Sequence, residues 1–257
     1  MTSNQKSYKN NIYYPHEIEW TSAKISNLWN YYSKNPAYQD QYFSYQAGKI
    51  VLNYIQRYIK LNSMYSILDY GCGTGNLINE LLKQAKKDQK CFGLDFSKES
   101  VAKVNRKHNE NPKYGNTVWI EKLPSPFIDE SMDLIISLDV IEHLDDQQLT
   151  GMIHEIHRIL RPDGYLVMTT PNKENLEGNK TICPDCGCIF HRYQHMRSWS
   201  CRTLREEMEK GGFNTIHIAE TNFAMKYQRL IKLILKFAPK YKKNLIYIAQ
   251  KSFACAQ

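Results

Sequence analysis

Short apolar segments alternate with helical patterns along the middle of the chain, and this alternation constrains the fold more than any other feature. The apolar segments fall at residues 66–70, 91–95, 117–120, 134–138 and 165–169, with helical patterns at residues 76–87, 97–108 and 147–160. Continuous apolar strands joined by helices are typical of a parallel sheet covered on both faces. With two more strands predicted at residues 214–220 and 245–251, the sequence predicts a doubly wound α/β fold.

The first 60 residues differ from the rest because they are rich in aromatic side chains. A Thr or Ser at positions 21–22 is a suitable N-cap for a helix over residues 23–32, and a second helix is predicted over residues 41–59. We expect residues 1–60 to form a helical cap or lid over a domain of residues 61–257. The aromatic candidates to line a ligand pocket, or simply to pack, are Trp20, Trp29, Tyr42 and Phe43.

The composition excludes several classes of protein. The chain has 257 residues, a mean hydropathy of −0.57 and no run of 18 apolar residues, which excludes a protein with several membrane spans. The first ten residues have no apolar core, so we expect no secretory signal. Seven cysteines without such a signal indicate a reducing compartment, and we expect the cytoplasm.

The net charge of +8 is concentrated in the last third of the chain. Residues 61–171 carry more acidic than basic side chains, whereas eight basic residues and no acidic one follow Glu220. This pattern suggests an anionic partner, either a membrane surface or a phosphorylated substrate, or only a soluble tail. Residues 223–240 combine apolar and basic side chains and predict a basic amphipathic helix. Such a helix either packs on the domain or lies on an anionic membrane, which would place the protein at the inner face of the membrane.

Three glycines follow the first predicted strand in the sequence LDYGCGTGN, residues 68–76. Glycine allows positive φ and the close approach of a ligand to the backbone, but the spacing differs from the dinucleotide fingerprint. Asp69 before the first glycine suits a ligand with cationic groups. Asp95 ends the next strand, where its carboxylate can accept from two ribose hydroxyls, and Phe96 can lie against an adenine ring.

These residues resemble the cofactor-binding half of class I S-adenosylmethionine-dependent methyltransferases. The resemblance covers about residues 50–171, where LPSPFIDESMDLIIS at residues 123–137 is a further match, and resumes at the last two strands. The run DVIEHL at residues 139–144 resembles the ubiquinone-biosynthesis O-methyltransferase group, also described as methyltransferase type 11. The resemblance implies a seven-stranded Rossmann-like sheet and S-adenosylmethionine as cofactor. The adenine amino group would contact Glu121, or Ile120 and the main chain. The full set of implied cofactor residues is Asp69, Gly71, Cys72, Gly73, Gly75, Asp95, Phe96, Glu121, Leu138 and Asp139.

A methyl donor that is already activated leaves the protein two tasks, to align the acceptor and to remove its proton. His143 follows the fourth strand and is a candidate general base, with Glu142 to orient it. A role for His143 in capping or packing alone is the alternative, and it stays open. The resemblance also implies another interpretation, in which Asp139, Glu142 and His143 share a helical face and hold a divalent cation that polarises a phenol or diol.

The residues after the fourth strand narrow the choice of acceptor. An N/D-P-P-Y/F run is absent there, which disfavours amino-group acceptors, and the absence of a Pro-Cys pair disfavours cytosine C5. We therefore expect O-methylation of a hydroxyl on a small molecule or glycan precursor. The alternatives are an RNA methyltransferase, which the basic tail suggests, and a non-catalytic subunit that binds the cofactor.

A cluster of cysteine and histidine residues follows the fifth strand, within an insertion at about residues 175–200. Cys183 and Cys186 have the spacing of a zinc knuckle, and His191 and His195 could complete four ligands. Cys188 and Cys201 are alternative ligands. The sequence therefore predicts a structural zinc site in a segment too short and polar to fold by its own core.

Overall fold

A computed structural model describes residues 13–223 and 243–252 of the chain. The strands of its main sheet are β2 (Ser66–Tyr70), β3 (Lys90–Asp95), β4 (Tyr114–Trp119), β5 (Met132–Leu138), β6 (Leu160–Pro171), β9 (Phe213–Thr221) and β10 (Asn244–Lys251). They lie in the order β4-β3-β2-β5-β6-β10-β9. All neighbouring pairs are parallel except the two that β10 makes with β6 and β9. The predicted mostly parallel, seven-stranded sheet is confirmed.

Helices cover both faces of this sheet. They are α1 (Ser22–Lys34), α2 (Phe43–Ile55), α3 (Asn76–Gln84), α4 (Lys98–His108), α5 (Asp146–Ile159) and α6 (Cys201–Lys210). Successive side chains of a strand point to opposite faces. Ile67 and Leu134 therefore pack in one apolar cluster with α2, α3 and α4, whereas Leu68 and Ile135 pack in another with α5 and α6. The apolar runs in the sequence reflect this burial on both sides.

The connection from α5 into β6 is a bulge within the strand, formed by residues 161–164. Leu160 already pairs with Met132, and Tyr165 pairs with Leu134, so the four residues between them bulge out of the ladder. Strand β6 thus begins at Leu160, five residues earlier than predicted.

The two N-terminal helices have different roles, so a single cap over residues 1–60 does not describe them. In α2, Val51, Leu52 and Ile55 are fully buried and belong to the core under the sheet. In α1, Ser33 is the only buried residue. The sequence assigned both helices to a cap because aromatic residues dominate the whole segment, but only α1 lies outside the core.

Helix α1 bridges the edge of the sheet at which the parallel strands end. At one side its Ser33 carbonyl accepts a hydrogen bond from Lys103 Nζ of α4 at 2.6 Å. At the other side Trp29 Nε1 donates to Gln194 Oε1 at 3.0 Å. Helix α1 is therefore the element at the edge where the sequence predicts a lid, and its role as a lid stays a prediction.

The predicted insertion is present between β6 and α6 and forms a small second sheet. Its strands are β7 (Lys180–Ile182) and β8 (Cys188–His191), which are antiparallel, and β8 also pairs in parallel with β1 (His16–Glu17). The insertion is thereby tied to the N-terminal segment.

The predicted basic helix over residues 223–240 lies outside the described residues, apart from Phe223, which is buried. Within residues 13–223 and 243–252, every helix is too short or too polar to cross a bilayer.

Candidate active site

The glycine loop joins β2 to α3 with three left-handed glycines, Gly71, Gly73 and Gly75, at φ of 78°, 50° and 78°. Backbone N–H groups of Gly71 and Cys72 both donate to the carbonyl of Leu94 at the end of β3, at 2.8 and 3.1 Å. The Cys72 side chain is buried, so it contributes packing and backbone to the loop. The loop is thus fixed against the neighbouring strand at the edge covered by α1.

Gly71 is required for a second reason, because a side chain there would collide with Val140. A Cβ at Gly71 would lie 2.5 Å from Val140 Cγ2. Strand β5 ends at Leu138, and Asp139 and Val140 follow it. The close approach therefore brings the residues after β5 against the glycine loop.

Gly71→Ala is expected to destabilise the protein through both effects. The left-handed backbone costs about 1–2 kcal/mol for a residue with a side chain, and overpacking against Val140 adds about 1–3 kcal/mol. Urea unfolding measures the sum. The double variant Gly71→Ala/Val140→Ala relieves only the overpacking and should therefore be more stable than Gly71→Ala. A double variant that is no more stable would contradict the collision between residue 71 and Val140.

Asp95 ties β3 to the glycine loop. Its Oδ2 accepts from the backbone N–H of Gly73, and its Oδ1 accepts from that of Ser97, both at 2.7 Å. Burial raises the pKa of Asp95, and the hydrogen bonds oppose that shift. The carboxylate has a place beside the loop where it can still accept from a ligand, because each oxygen has two lone pairs.

Asp69 lies beneath the loop as a buried carboxyl group. Its Oδ2 has no hydrogen-bond partner among the described residues, and burial followed by the charge of Asp95 holds the pKa of Asp69 well above its usual range. A cationic ligand group would compensate this buried carboxylate. Asp69 precedes the glycine loop and Asp95 accepts from it, and the binding of the cofactor by these two residues stays a prediction.

The adenine-binding candidates are on the surface beside β4. Phe96 is 49% exposed and Trp119 is 40% exposed, and Trp119 Nε1 donates to the Phe96 carbonyl at 3.1 Å. Glu121 is also exposed, whereas Ile120 is buried. The sequence alone does not single out Trp119, because a Trp at the end of an apolar strand is also typical of packing.

Asp139 follows β5 in a left-handed conformation, with φ of 51°. Its Oδ1 accepts from the Thr169 hydroxyl of β6 at 2.6 Å. Burial raises the pKa of Asp139 to about 7. The predicted helical face shared with Glu142 and His143 is not formed, since only Ile141–His143 make a single 3-10 turn and Asp139 precedes it.

Glu142 and His143 are buried side by side. Glu142 Oε2 accepts from the Thr170 hydroxyl at 3.0 Å, while Glu142 Oε1 and His143 Nδ1 have no hydrogen-bond partner among the described residues. His143 Nε2 lies 4.0 Å from Glu142 Oε1. Burial lowers the pKa of His143 to about 3, so the ring is neutral at neutral pH.

The cap and the insertion enclose His143 from opposite sides. The His143 ring meets that of Trp29 of α1 edge-on at 4.9 Å between centroids and that of His195 at 4.7 Å. The fully buried Gln194 links His143 to Trp29, because it donates to the His143 carbonyl at 2.7 Å and accepts from Trp29 Nε1. Of the four aromatic candidates, Trp29 therefore contacts this site, and Tyr42 faces Gly73.

The structure does not assemble the predicted zinc ligands into one site. Among the residues that it describes, two sets have potential ligand atoms within 4.8 Å of one another, namely Glu142/His143/His195 and Glu174/His191/His195. Neither set contains a cysteine. Cys183 and Cys186 lie in the turn between β7 and β8, and His191 ends β8. Because a strand rises about 3.3 Å per residue, His191 is about 10 Å along the strand from Cys188.

Comparison with known proteins agrees with this architecture. The family described as "Methyltransferase domain" matches residues 39–218. A probable S-adenosylmethionine-dependent methyltransferase of Mycolicibacterium smegmatis is 30% identical over 57% of this chain and 51% of its own length. A mitochondrial ubiquinone biosynthesis O-methyltransferase of Dictyostelium discoideum is 30% identical over 42% of this chain and 36% of its own. An Arabidopsis thaliana small RNA 2′-O-methyltransferase is 26% identical over 52% of this chain and 15% of its own. The chain thus spans about half or less of the length of these relatives.

Solved structures share the fold at low sequence identity. A methyltransferase from Haloferax volcanii, solved with a methyltransferase activator, has a TM-score of 0.63 at 15% identity and covers 88% of this chain and 98% of its own. A phosphoethanolamine N-methyltransferase of Haemonchus contortus in complex with S-adenosyl-L-methionine has a TM-score of 0.61 at 15% identity, over 88% of this chain and 60% of its own. With a family match over residues 39–218 and the glycine loop between β2 and α3, the chain belongs to the methyltransferase domain family.

Proposed function

We propose that the chain is an S-adenosylmethionine-dependent O-methyltransferase that acts on a hydroxyl of a small molecule or glycan precursor. The observation that carries the proposal is the convergence of Glu142, His143 and His195, with ligand atoms within 4.8 Å of one another, next to the glycine loop. The cluster lies at the edge where β2 and β5 end, and Val140 connects it to Gly71. An acceptor held there is beside the cofactor site.

The cluster fits a divalent cation better than a catalytic histidine alone. Glu142 Oε1 and His143 Nδ1 are buried and have no hydrogen-bond partner in the part of the chain that the structure describes, and a cation would satisfy such atoms. A neutral imidazole is a good metal ligand, whereas a ring whose pKa is about 3 is a weak base at neutral pH. Glu142, His143 and His195 would hold the cation, so His195 takes the place of Asp139, the third ligand expected from the sequence.

The cation would supply Lewis-acid polarisation of the acceptor hydroxyl. In the transfer, the acceptor oxygen forms a bond to the methyl carbon as the bond from that carbon to sulfur breaks, and neutral S-adenosylhomocysteine leaves. The hydroxyl proton passes to the carboxylate of Asp139, which directly precedes Val140 at the contact with Gly71. Trp29 and α1 exclude water from the reacting atoms.

Metal removal tests this proposal. The protein is treated with EDTA, then assayed with labelled S-adenosylmethionine and a panel of catechols, sugar nucleotides and RNA oligonucleotides, with Mg²⁺, Mn²⁺, Co²⁺ or Zn²⁺ restored singly. We expect methyl transfer to an acceptor with neighbouring oxygens. This activity should be lost after EDTA treatment and regained with at least one of the cations. Full activity without metal would contradict the cation.

Cys183→Ser is the matched control, because Cys183 lies in the turn at the other end of β8. We expect it to leave the metal requirement unchanged. If it instead removed the bound metal, the cation would belong to the cysteine turn.

RNA is the second candidate acceptor, and the net charge of +8 favours it. A ribose at an RNA 3′ end also offers two neighbouring hydroxyls. Transfer to RNA that is lost after periodate oxidation of the 3′ end, with affinity falling steeply as salt rises, would establish this acceptor over a small molecule.

A further inference from the structure

Glu174 lies between two histidines of the insertion and follows β6. Its Oε2 contacts His195 Nδ1, and its Oε1 lies 3.4 Å from His191 Nε2 and accepts from Asn179 Nδ2 at 2.8 Å. The two imidazole rings stack at 4.7 Å between centroids with an angle of 20°. The carboxylate therefore holds the His195 ring, while His191 Nε2 lies near it but forms no hydrogen bond within the described residues.

The backbone determines which nitrogen of His191 carries the proton. His191 Nδ1 accepts from the N–H groups of Tyr193 and His195, at 3.3 and 3.1 Å. A nitrogen that accepts has no proton, so the neutral ring is protonated at Nε2, which faces Glu174. Neither nitrogen then has a lone pair for a metal. Although Glu174, His191 and His195 lie close together, they are poorly suited to be a second metal site.

The opposite tautomer follows for His195. A carboxylate only accepts, so the nitrogen in contact with Glu174, Nδ1, carries the proton and Nε2 keeps its lone pair. His195 is also the member that this group shares with Glu142 and His143. We infer that Glu174 is a positioning residue that fixes His195 in the Nδ1–H tautomer and leaves Nε2 free to bind in the Glu142–His143–His195 cluster.

This inference rests on the proposed function only for the identity of the group that Nε2 binds. Carboxylates that accept from the second nitrogen of a metal-binding histidine orient the ring and raise its basicity. Asn179, which donates to Oε1 at 2.8 Å, supports the carboxylate. The insertion thereby contributes to the site chemically, in addition to covering it.

Histidine ring NMR tests the inference without any methyl acceptor. Long-range ¹H–¹⁵N spectra of the metal-free, full-length protein are expected to show His195 as the Nδ1–H tautomer and His191 as the Nε2–H tautomer. In Glu174→Ala the single tautomer of His195 is expected to be lost. A wild-type His195 protonated at Nε2, or an unchanged His195 in Glu174→Ala, would overturn the inference.

Metal titration gives the second measurement. Loss of such a carboxylate costs about 10–100-fold in metal affinity, and calorimetry with Mn²⁺ or Co²⁺ should show this loss in Glu174→Ala. Glu174→Gln keeps an oxygen acceptor and is expected to lose less. Glu177→Gln, whose side chain is 79% exposed on the same insertion, is the matched control. Bound S-adenosylmethionine reports that each variant is folded.

The two proposals fail in different ways. If wild-type protein binds no cation while His195 has the Nδ1–H tautomer, the cation of the proposed function is overturned and the tautomer assignment stands. If wild-type protein binds a cation and Glu174→Ala binds it equally well, the positioning role of Glu174 is overturned and the cation stands.

Discussion

His143→Ala is expected to lower the rate of methyl transfer by about 10²–10⁴-fold, the range found for groups that act directly on the reacting hydroxyl. His143 is enclosed by Trp29 and His195 and lies beside Glu142, so its loss opens the cluster at its centre. Affinity for S-adenosylmethionine should stay nearly unchanged, because the glycine loop and Asp95 are intact. Single-turnover assays and calorimetry measure the two quantities separately.

The variant also distinguishes a metal ligand from a general base. A lost ligand weakens the binding of the cation, so excess Mn²⁺ or Co²⁺ should partly restore the rate. If His143 is instead a general base, added metal should not restore the rate of His143→Ala. His154→Ala, an exposed histidine of α5, is the control and should retain full activity. Turnover that survives in His143→Ala would exclude both roles.

The fold was predictable because the central strands of the main sheet are buried on both faces. β2, for example, begins and ends at the predicted residues 66 and 70, since burial selects a continuous apolar run and the glycines end it. The residues predicted to bind the cofactor were selected for a related reason. Asp69 and Asp95 each lie at or just before the end of a parallel strand, and parallel strands end at one edge of a sheet.

The ligand set was less predictable because spacing along the chain does not give distance in space. The four residues that were expected to bind one zinc are separated by β8, which is extended and carries His191 away from the cysteine turn. Glu174 belongs to no motif that the sequence analysis identifies. It precedes His195 by 21 residues, and only the return of the chain through β7 and β8 brings the two together.

The second large effect is expected at the cofactor. Asp95→Ala should weaken the binding of S-adenosylmethionine at least tenfold, which corresponds to about 1.4 kcal/mol. Two contributions add. The ribose hydroxyls lose an acceptor, and the N–H group of Gly73 loses the bond of 2.7 Å that holds the loop against β3.

Asp95→Asn separates these contributions, because its single amide oxygen can serve only one of the two backbone donors, while its amide nitrogen would face the other. The affinity of Asp95→Asn for S-adenosylmethionine should therefore also fall. Asp88→Ala, an exposed residue in the loop before β3, is the control and should bind normally. Calorimetry with S-adenosylmethionine and with S-adenosylhomocysteine measures all three variants. Because both ligands carry the same ribose, Asp95→Ala should weaken them equally, whereas an unchanged affinity for either would remove Asp95 from the ribose and leave it as a residue that only organises the loop.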